Sequence, residues 1–353
     1  MIKKILKKFK SLDVGIDLGT ANTVVFLKGE GIVIREPSVV ALDKESRKIL
    51  AIGRDAYEMV GKTPGNIVAV RPMKDGVIAD FDMTQLLIEF FIKKIRTDFK
   101  TKIKNTLIGI PWGITEVEKR AVFEAGKLAG QVNTRLIDEP MAAAVGAGLD
   151  VSKPLGRMIV DIGGGTTEIA VISLGGMVHC QSLRMAGDQI DQCIMSHCRK
   201  NYNLLIGERM AERIKIGIGT TVSIDEEYSM DVRGRDLMSG IPKNYSLSSY
   251  EIRDAISEVI ATIVQAVKKA LEKTPPELAS DITSTGIVLS GGGALLKGLT
   301  DYIARETNIP CRVAEDPLSC VAKGTGEILE NSALQEQLSA IIMMRNRNFT
   351  MSK

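Results

Sequence analysis

The sequence predicts an α/β fold in which two similar halves face each other across a cleft, and three observations carry the prediction. Strand-like apolar runs alternate with stretches of helical apolar spacing along most of the chain. A strand–glycine loop–strand segment occurs twice: aligning VGIDLGTANTVVFL from Val14 with MIVDIGGGTTEIAV from Met158 sets Asp17 on Asp161, Leu18 on Ile162, Gly19 on Gly163 and Thr23 on Thr167. The length, 353 residues, is enough for two domains that each bury a core.

Taken in order, Val14 to Leu27 reads as two β-prone runs around a glycine turn, and Ile32 to Leu50 continues the β character with a polar turn at Lys44–Lys48. Leu86, Leu87, Phe90, Phe91 and Ile95 recur at helical spacing within Met83–Ile95. A short strand, Thr106–Ile110, stops at Pro111, and a helix follows from about Thr115 with Glu116 and Glu118 where they suit its dipole. The second half opens on strand, glycine loop and strand over Arg157–Ser173. A long amphipathic helix spans Tyr250–Lys273 and closes at Pro275–Pro276. Thr285–Ser290 is a buried-type strand that runs into Gly291–Gly293 and a new helix, and the last helix covers about Ala333–Met344.

Glycines let backbone N–H groups approach phosphate oxygens, and successive N–H groups form an anion nest. Gly19-Thr20-Ala21-Asn22 offers such donors with a hydroxyl and an amide, and Gly163-Gly164-Gly165-Thr166-Thr167 offers a second set from the opposite side. Each loop follows a strand-end carboxylate. Asp17 and Asp161 converging on a polyphosphate would repel it without a cation, which implies Mg²⁺ held largely through waters. One such loop alone would be read as a tight hairpin; the pair points to ATP as the bound cofactor. Gly291, Gly292, Gly293 and Ala294, between strand and helix, are expected to hold the nucleoside and α-phosphate side.

Composition narrows the alternatives. Aromatic residues make up 4%, too few for a stacking platform on single-stranded nucleic acid or a carbohydrate cleft. The net charge is +3, but five of the 46 basic residues lie in MIKKILKKFK, leaving 41 against 43 acidic residues elsewhere. A basic excess confined to one end argues against a nucleic-acid partner. No stretch has the roughly 18 consecutive apolar residues of a membrane span. Five cysteines without CxxC spacing and no leader pattern are expected of reduced thiols in the cytosol, and His179 and His197 lack metal-ligand spacing.

These motifs together resemble the superfamily of actin, heat-shock chaperone ATPases and sugar kinases. Within it the chain is similar to the MreB family of bacterial actins, through IDLGTANT (16–23), REPSVVAL (35–42), TPGNIVAVRPMKDGVIADFD (63–82), GITEVEKRAV (113–122), DEPMAAAVGAG (138–148), VDIGGGTTEIAVISLGG (160–176), IGERMAERIKIGIG (206–219) and GIVLSGGGALLKGL (286–299). The resemblance implies duplicated actin-like (ribonuclease H-like) domains with four subdomains around the cleft. Its divisions would be 13–148 (smaller subdomain about 30–75), 149–315 (smaller subdomain about 180–250) and a return over 316–344. It also implies a slow ATPase coupled to polymerisation into paired protofilaments, at the inner face of the cell membrane, for cell shape, morphogenesis or motility, with membrane or cytoskeletal partner proteins. By the family pattern Glu139 orients or deprotonates the attacking water and the Thr166 hydroxyl helps to position it, while Glu212 and Lys215 hold the adenosine. Asp138 is expected only to cap or support the helix that Glu139 opens ahead of Pro140. The rivals are a chaperone ATPase, for which residues after 330 leave no room for a substrate-binding domain, and a small-molecule kinase, for which no acceptor-binding set stands out. Trp112, where relatives carry a small or aliphatic residue, either packs on a subdomain surface or crowds the hydrolytic water.

The two ends read differently from the body. In residues 1–12, Ile2, Ile5, Leu6 and Phe9 fall on one helical face, with Lys3, Lys4, Lys7, Lys8 and Lys10 covering most of the rest, a pattern suited to an anionic membrane surface. Each lysine near such a surface contributes roughly 1 kcal/mol, and a polymer would multiply the effect. The tail 345–353, with Arg345, Arg347 and Lys353, is a weaker second candidate.

Overall fold

The computed structural model describes residues 11–129, 133–223 and 227–338; the expected membrane-facing residues of the N-terminus and the basic tail lie outside these. Among the described residues are two five-stranded sheets of identical plan. In the first, Ser11–Leu18, Asn22–Leu27 and Gly31–Pro37 form an antiparallel meander, and Lys102–Ile110 and Asn133–Asp138 add in parallel on the other side of Ser11–Leu18. In the second, Arg157–Ile162, Thr167–Ser173 and Gly176–Leu183 form the meander, and Ile287–Ser290 and Cys311–Val313 add in parallel. The repeat read from sequence extends to the register. Asp17 pairs with Val24 and Leu18 with Thr23, as Asp161 pairs with Glu168 and Ile162 with Thr167.

Local chemistry explains the helices. Thr115 and Glu118 exchange bonds in a capping box that starts Glu116–Leu128, Ser248 and Glu251 do the same for Ser249–Glu272, and Asp80 caps Phe81–Asp98. Two expectations need correction. The prolines that end the long helix also open another, Pro276–Thr285, which takes Thr285 out of the expected strand. Its apolar residues are only Leu278, Ala279 and Ile282, with Ile282 alone buried, so the helical signal is short. Gly291–Gly293 do not lead directly into an α-helix either: Gly292–Leu295 is one 3₁₀ turn, and Leu299–Thr307 starts only after Gly298. Consecutive glycines with poor helix propensity favour the short tight turn.

Each half also carries a smaller three-stranded sheet: Val40–Asp43, Ile49–Ile52 and Ile67–Val70 in the first, and Leu204–Leu205, Ser229–Asp236 and Pro242–Ser248 in the second. A large apolar core fills each half, a small cluster of Val39, Ala41 and Ala56 adds to the first, and a third large core joins the halves. This third core takes Leu107 and Ile137 from the first sheet and Ile159, Ala170 and Val288 from the second. Between the sheets lie helices Glu139–Gly146 and Cys320–Glu330, in backbone contact. A Cβ on Gly146 would lie 1.9 Å from the Cys320 carbonyl oxygen, and one on Gly324 1.8 Å from that of Ala142. This close crossing fixes Glu139, the first residue of its helix, at the floor of the cleft. No helix among the described residues is long and apolar enough to cross a membrane, and all five cysteines are free.

Candidate functional site

The strand ends of both sheets open on one cavity of about 710 Å³, within the size range of small-molecule sites. Asp17 and the run Gly19–Asn22 line one wall; Asp161, Gly163, Gly164, Gly165 and Thr166 line the facing wall. Glu139 lies on the floor between them, and Glu212, Lys215, Gly291, Gly292 and Gly293 line the far end. Ala294 does not line the cavity. The 3₁₀ turn directs its methyl into the core of the second half, where it is 2% exposed.

Each loop is pinned by its own half. Ser38 Oγ donates to the Gly19 carbonyl at 2.7 Å and its N–H to that of Ala21 at 2.9 Å. Thr20 Oγ1 accepts from the Gly76 N–H at 3.1 Å. In the second loop the Gly163 N–H closes onto the Thr166 carbonyl. The first amides of helix Gly187–Tyr202, those of Gly187 and Asp188, bind the Gly163 and Gly164 carbonyls. Gly291, with φ of 79°, passes so near the strand that a Cβ would lie 2.3 Å from the Ile162 carbonyl oxygen. Only glycine fits there.

The electrostatics are dominated by carboxylates. Asp161 is buried and accepts from Ser290 Oγ at 2.7 Å; burial lifts it to about 6, against the hydrogen bond. Asp17 rises to about 8 through burial and the neighbouring Asp161 charge. Glu139 stands well above the usual range, through burial first and then the charges of Glu168, Asp17, Asp161 and Asp138. Burial also raises Glu168 to about 8, although the Trp112 N–H donates to it at 2.7 Å. So many carboxyls held against ionisation form a site that favours a cation. No group of three or more His, Cys, Asp or Glu among the described residues is arranged to hold a bare metal ion. Asp17 and Asp161, both in the cavity lining, are the carboxylates that could hold a hydrated divalent cation through its waters.

Other sequence candidates separate here. Lys215 does not face solvent: it pairs with Asp191 at 2.8 Å and donates to the Gly187 carbonyl. Glu212 accepts from the Tyr57 hydroxyl across the cleft. Asp138 occupies the N-cap position without making the capping bond. The Trp112 side chain is not part of the cavity lining; what it brings to the cleft floor is its backbone N–H. Sequence reasoning passed over Glu168 and Ser290. Glu168 was the more findable, as a carboxylate inside the fully buried run Thr167–Ile172. Tyr57, Glu58 and Arg209, also in the lining, gave no signal, since their contacts join residues about 150 positions apart. Ile216, Leu295 and Leu318, exposed by 70%, 56% and 44%, add open apolar surface to the lining.

Comparison with known proteins agrees with this plan. Residues 11–337 match the family model described as MreB/Mbl protein. Cell shape-determining protein MreB of Escherichia coli (strain K12) is 52% identical over 334 residues, 92% of this chain and 96% of that protein. Cell shape-determining protein Mbl of Bacillus subtilis (strain 168) is 50% identical over 319 residues, 90% of this chain and 96% of that one. The crystal structure of MreB5 of Spiroplasma citri bound to ADP is 39% identical with a TM-score of 0.87, covering 93% of this chain and 98% of its own. The same protein bound to AMPPNP is 38% identical with a TM-score of 0.86, covering 94% and 99%.

Proposed function

The chain belongs to the MreB/Mbl protein family and has the actin-like fold, and from that premise we propose that it binds ATP in the cleft, hydrolyses it slowly and polymerises into membrane-associated filaments that serve cell shape. The observation that carries the reading is the cavity itself: two glycine loops of matching register, each behind a strand-end aspartate, face one another across a space of ligand size. ADP and AMPPNP in the Spiroplasma citri relative support adenine nucleotides as the ligand. The open apolar surface of Ile216, Leu295 and Leu318 in the lining suits a base, and Glu212 and Lys215 offer polar groups for the ribose.

In this reading the loop amides and the Thr20 and Thr166 hydroxyls hold the phosphates. Mg²⁺, when bound near Asp17 and Asp161, supplies neutralisation of the phosphate charge. Glu139 is buried and surrounded by other carboxyls, which raises its proton affinity and makes its ionised form a better acceptor for a water proton. Thr166, also in the lining, supplies a hydroxyl to orient that water. A single carboxylate without a cationic partner gives a slow reaction. The family relationship disfavours the chaperone and kinase alternatives.

Sedimentation with ATP, ADP or a non-hydrolysable analogue, with and without anionic liposomes, tests the reading. Pelleting of filaments with ATP, increased by liposomes, is expected. No assembly in any nucleotide, together with phosphorylation of a sugar, would overturn it in favour of a kinase.

A further inference from the structure

The outer wall of the cavity is contributed by both halves. Tyr57 and Glu58 lie on the short helix Arg54–Met59 of the first half, and Arg209 and Glu212 on Glu208–Ile218 of the second. The Tyr57 hydroxyl donates to Glu212 Oε2. The Arg209 guanidinium carbon lies 4.9 Å from the centroid of the Tyr57 ring, and its Nη1 donates to the Glu58 carbonyl at 3.1 Å. All four residues line the cavity. Outside them Arg71 reaches across to Asp188 at 3.7 Å.

A carboxylate accepts at two oxygens, and a phenol supplies one donor. The bond to Oε2 therefore orients Glu212 while leaving Oε1 for a second hydroxyl. Burial and the Glu212 carboxylate push the Tyr57 hydroxyl up to about 12, so it remains a donor across the physiological range. Arg209 stacked on the ring and tied to Glu58 keeps the phenol in place.

We propose that Tyr57 is a positioning residue for nucleoside recognition: reaching across the cleft, it sets the Glu212 carboxylate to accept a ribose hydroxyl, and Arg209 holds it there. The inference rests on the nucleotide reading above.

The test is calorimetric titration of the full chain with Mg²⁺ and ADP, 2′-deoxy-ADP or 3′-deoxy-ADP, where light scattering shows no assembly. Tyr57→Phe keeps the ring under Arg209 and removes only the hydroxyl. ADP affinity is expected to fall about five- to tenfold, and the preference for ADP over at least one deoxy form to shrink. Arg209→Lys should weaken ADP less, about two- to threefold, because an ammonium lacks the planar stacking face. Unchanged ADP binding by Tyr57→Phe would overturn the proposal, as would an equal loss for all three nucleotides, the mark of a merely structural role. A parent chain that binds the three alike would also overturn it. A parent chain that binds none would instead defeat the nucleotide reading, and the inference with it.

Discussion

The two strand ends that face each other across the cleft share one backbone frame and differ in the side chains around them. Asp17 lies opposite Val24, and its counterpart Asp161 lies opposite Glu168. On the parallel side Asp161 has Ser290 beside it, donating a hydrogen bond. In the first half the chain passes that place at Gly109, one step beyond the Ile16–Ile108 pair. A Cβ at Gly109 would lie 3.2 Å from Glu139 Cγ and 3.0 Å from Val321 Cγ1. One strand end thus holds its aspartate with a donor, and the other leaves room for an additional carboxylate. The duplication preserved the frame and divided the chemistry.

Breaking that division should cost most where the missing side chain makes space. Gly109→Ala would push on Glu139, and displacing a reacting group by a fraction of an ångström costs about ten- to a hundredfold in rate. We expect phosphate release to fall by that order while nucleotide affinity changes far less; parallel losses in both would mean that Gly109 serves the whole cleft and not Glu139.

A smaller effect should sharpen the contrast between the aspartates. Both are raised above an ordinary value of 3.8, Asp161 to about 6 and Asp17 to about 8. A carboxyl raised on folding contributes stability that is full below its unfolded pKa and is lost as pH rises through the folded one. The nucleotide-free chain should therefore lose thermal stability as pH climbs from 3.8, with the loss from Asp161 complete near about 6 and that from Asp17 near about 8. Ser290→Ala removes the bond that holds Asp161 down and should move the lower step upward, as read by melting scans in a chelator from pH 4 to 9. A melting profile identical to the parent's would show that Ser290 does not set Asp161.

Much of the fold was legible because the signals were local. The glycine loops, the acidic first turn after Thr115 and the apolar periodicity within Met83–Ile95 each act within a few residues. The offset repeat carried the cleft as well, since matched registers place both aspartates at strand ends. Helix Pro276–Thr285 was hidden by its single buried residue, and the 3₁₀ turn at Gly292–Leu295 by glycines whose backbone freedom leaves no pattern. In the site, residues on the loops could be named from their own stretch. The Tyr57–Glu212 bond, the Trp112–Glu168 contact and the Ser290–Asp161 bond join distant segments, and no local pattern encodes them. Ala294 was misplaced for a related reason, as the inward direction of its methyl depends on the turn type.

The division of labour is tested most directly by measuring nucleotide binding and phosphate release on two variants, Asp17→Asn and Glu139→Gln. The account predicts that Asp17→Asn weakens Mg²⁺–ATP binding about tenfold or more, with turnover at saturation near the parent's. Glu139→Gln should bind like the parent and release phosphate about a hundredfold more slowly. If both variants lose binding and turnover in the same proportion, Asp17 and Glu139 do one job together and the account is wrong.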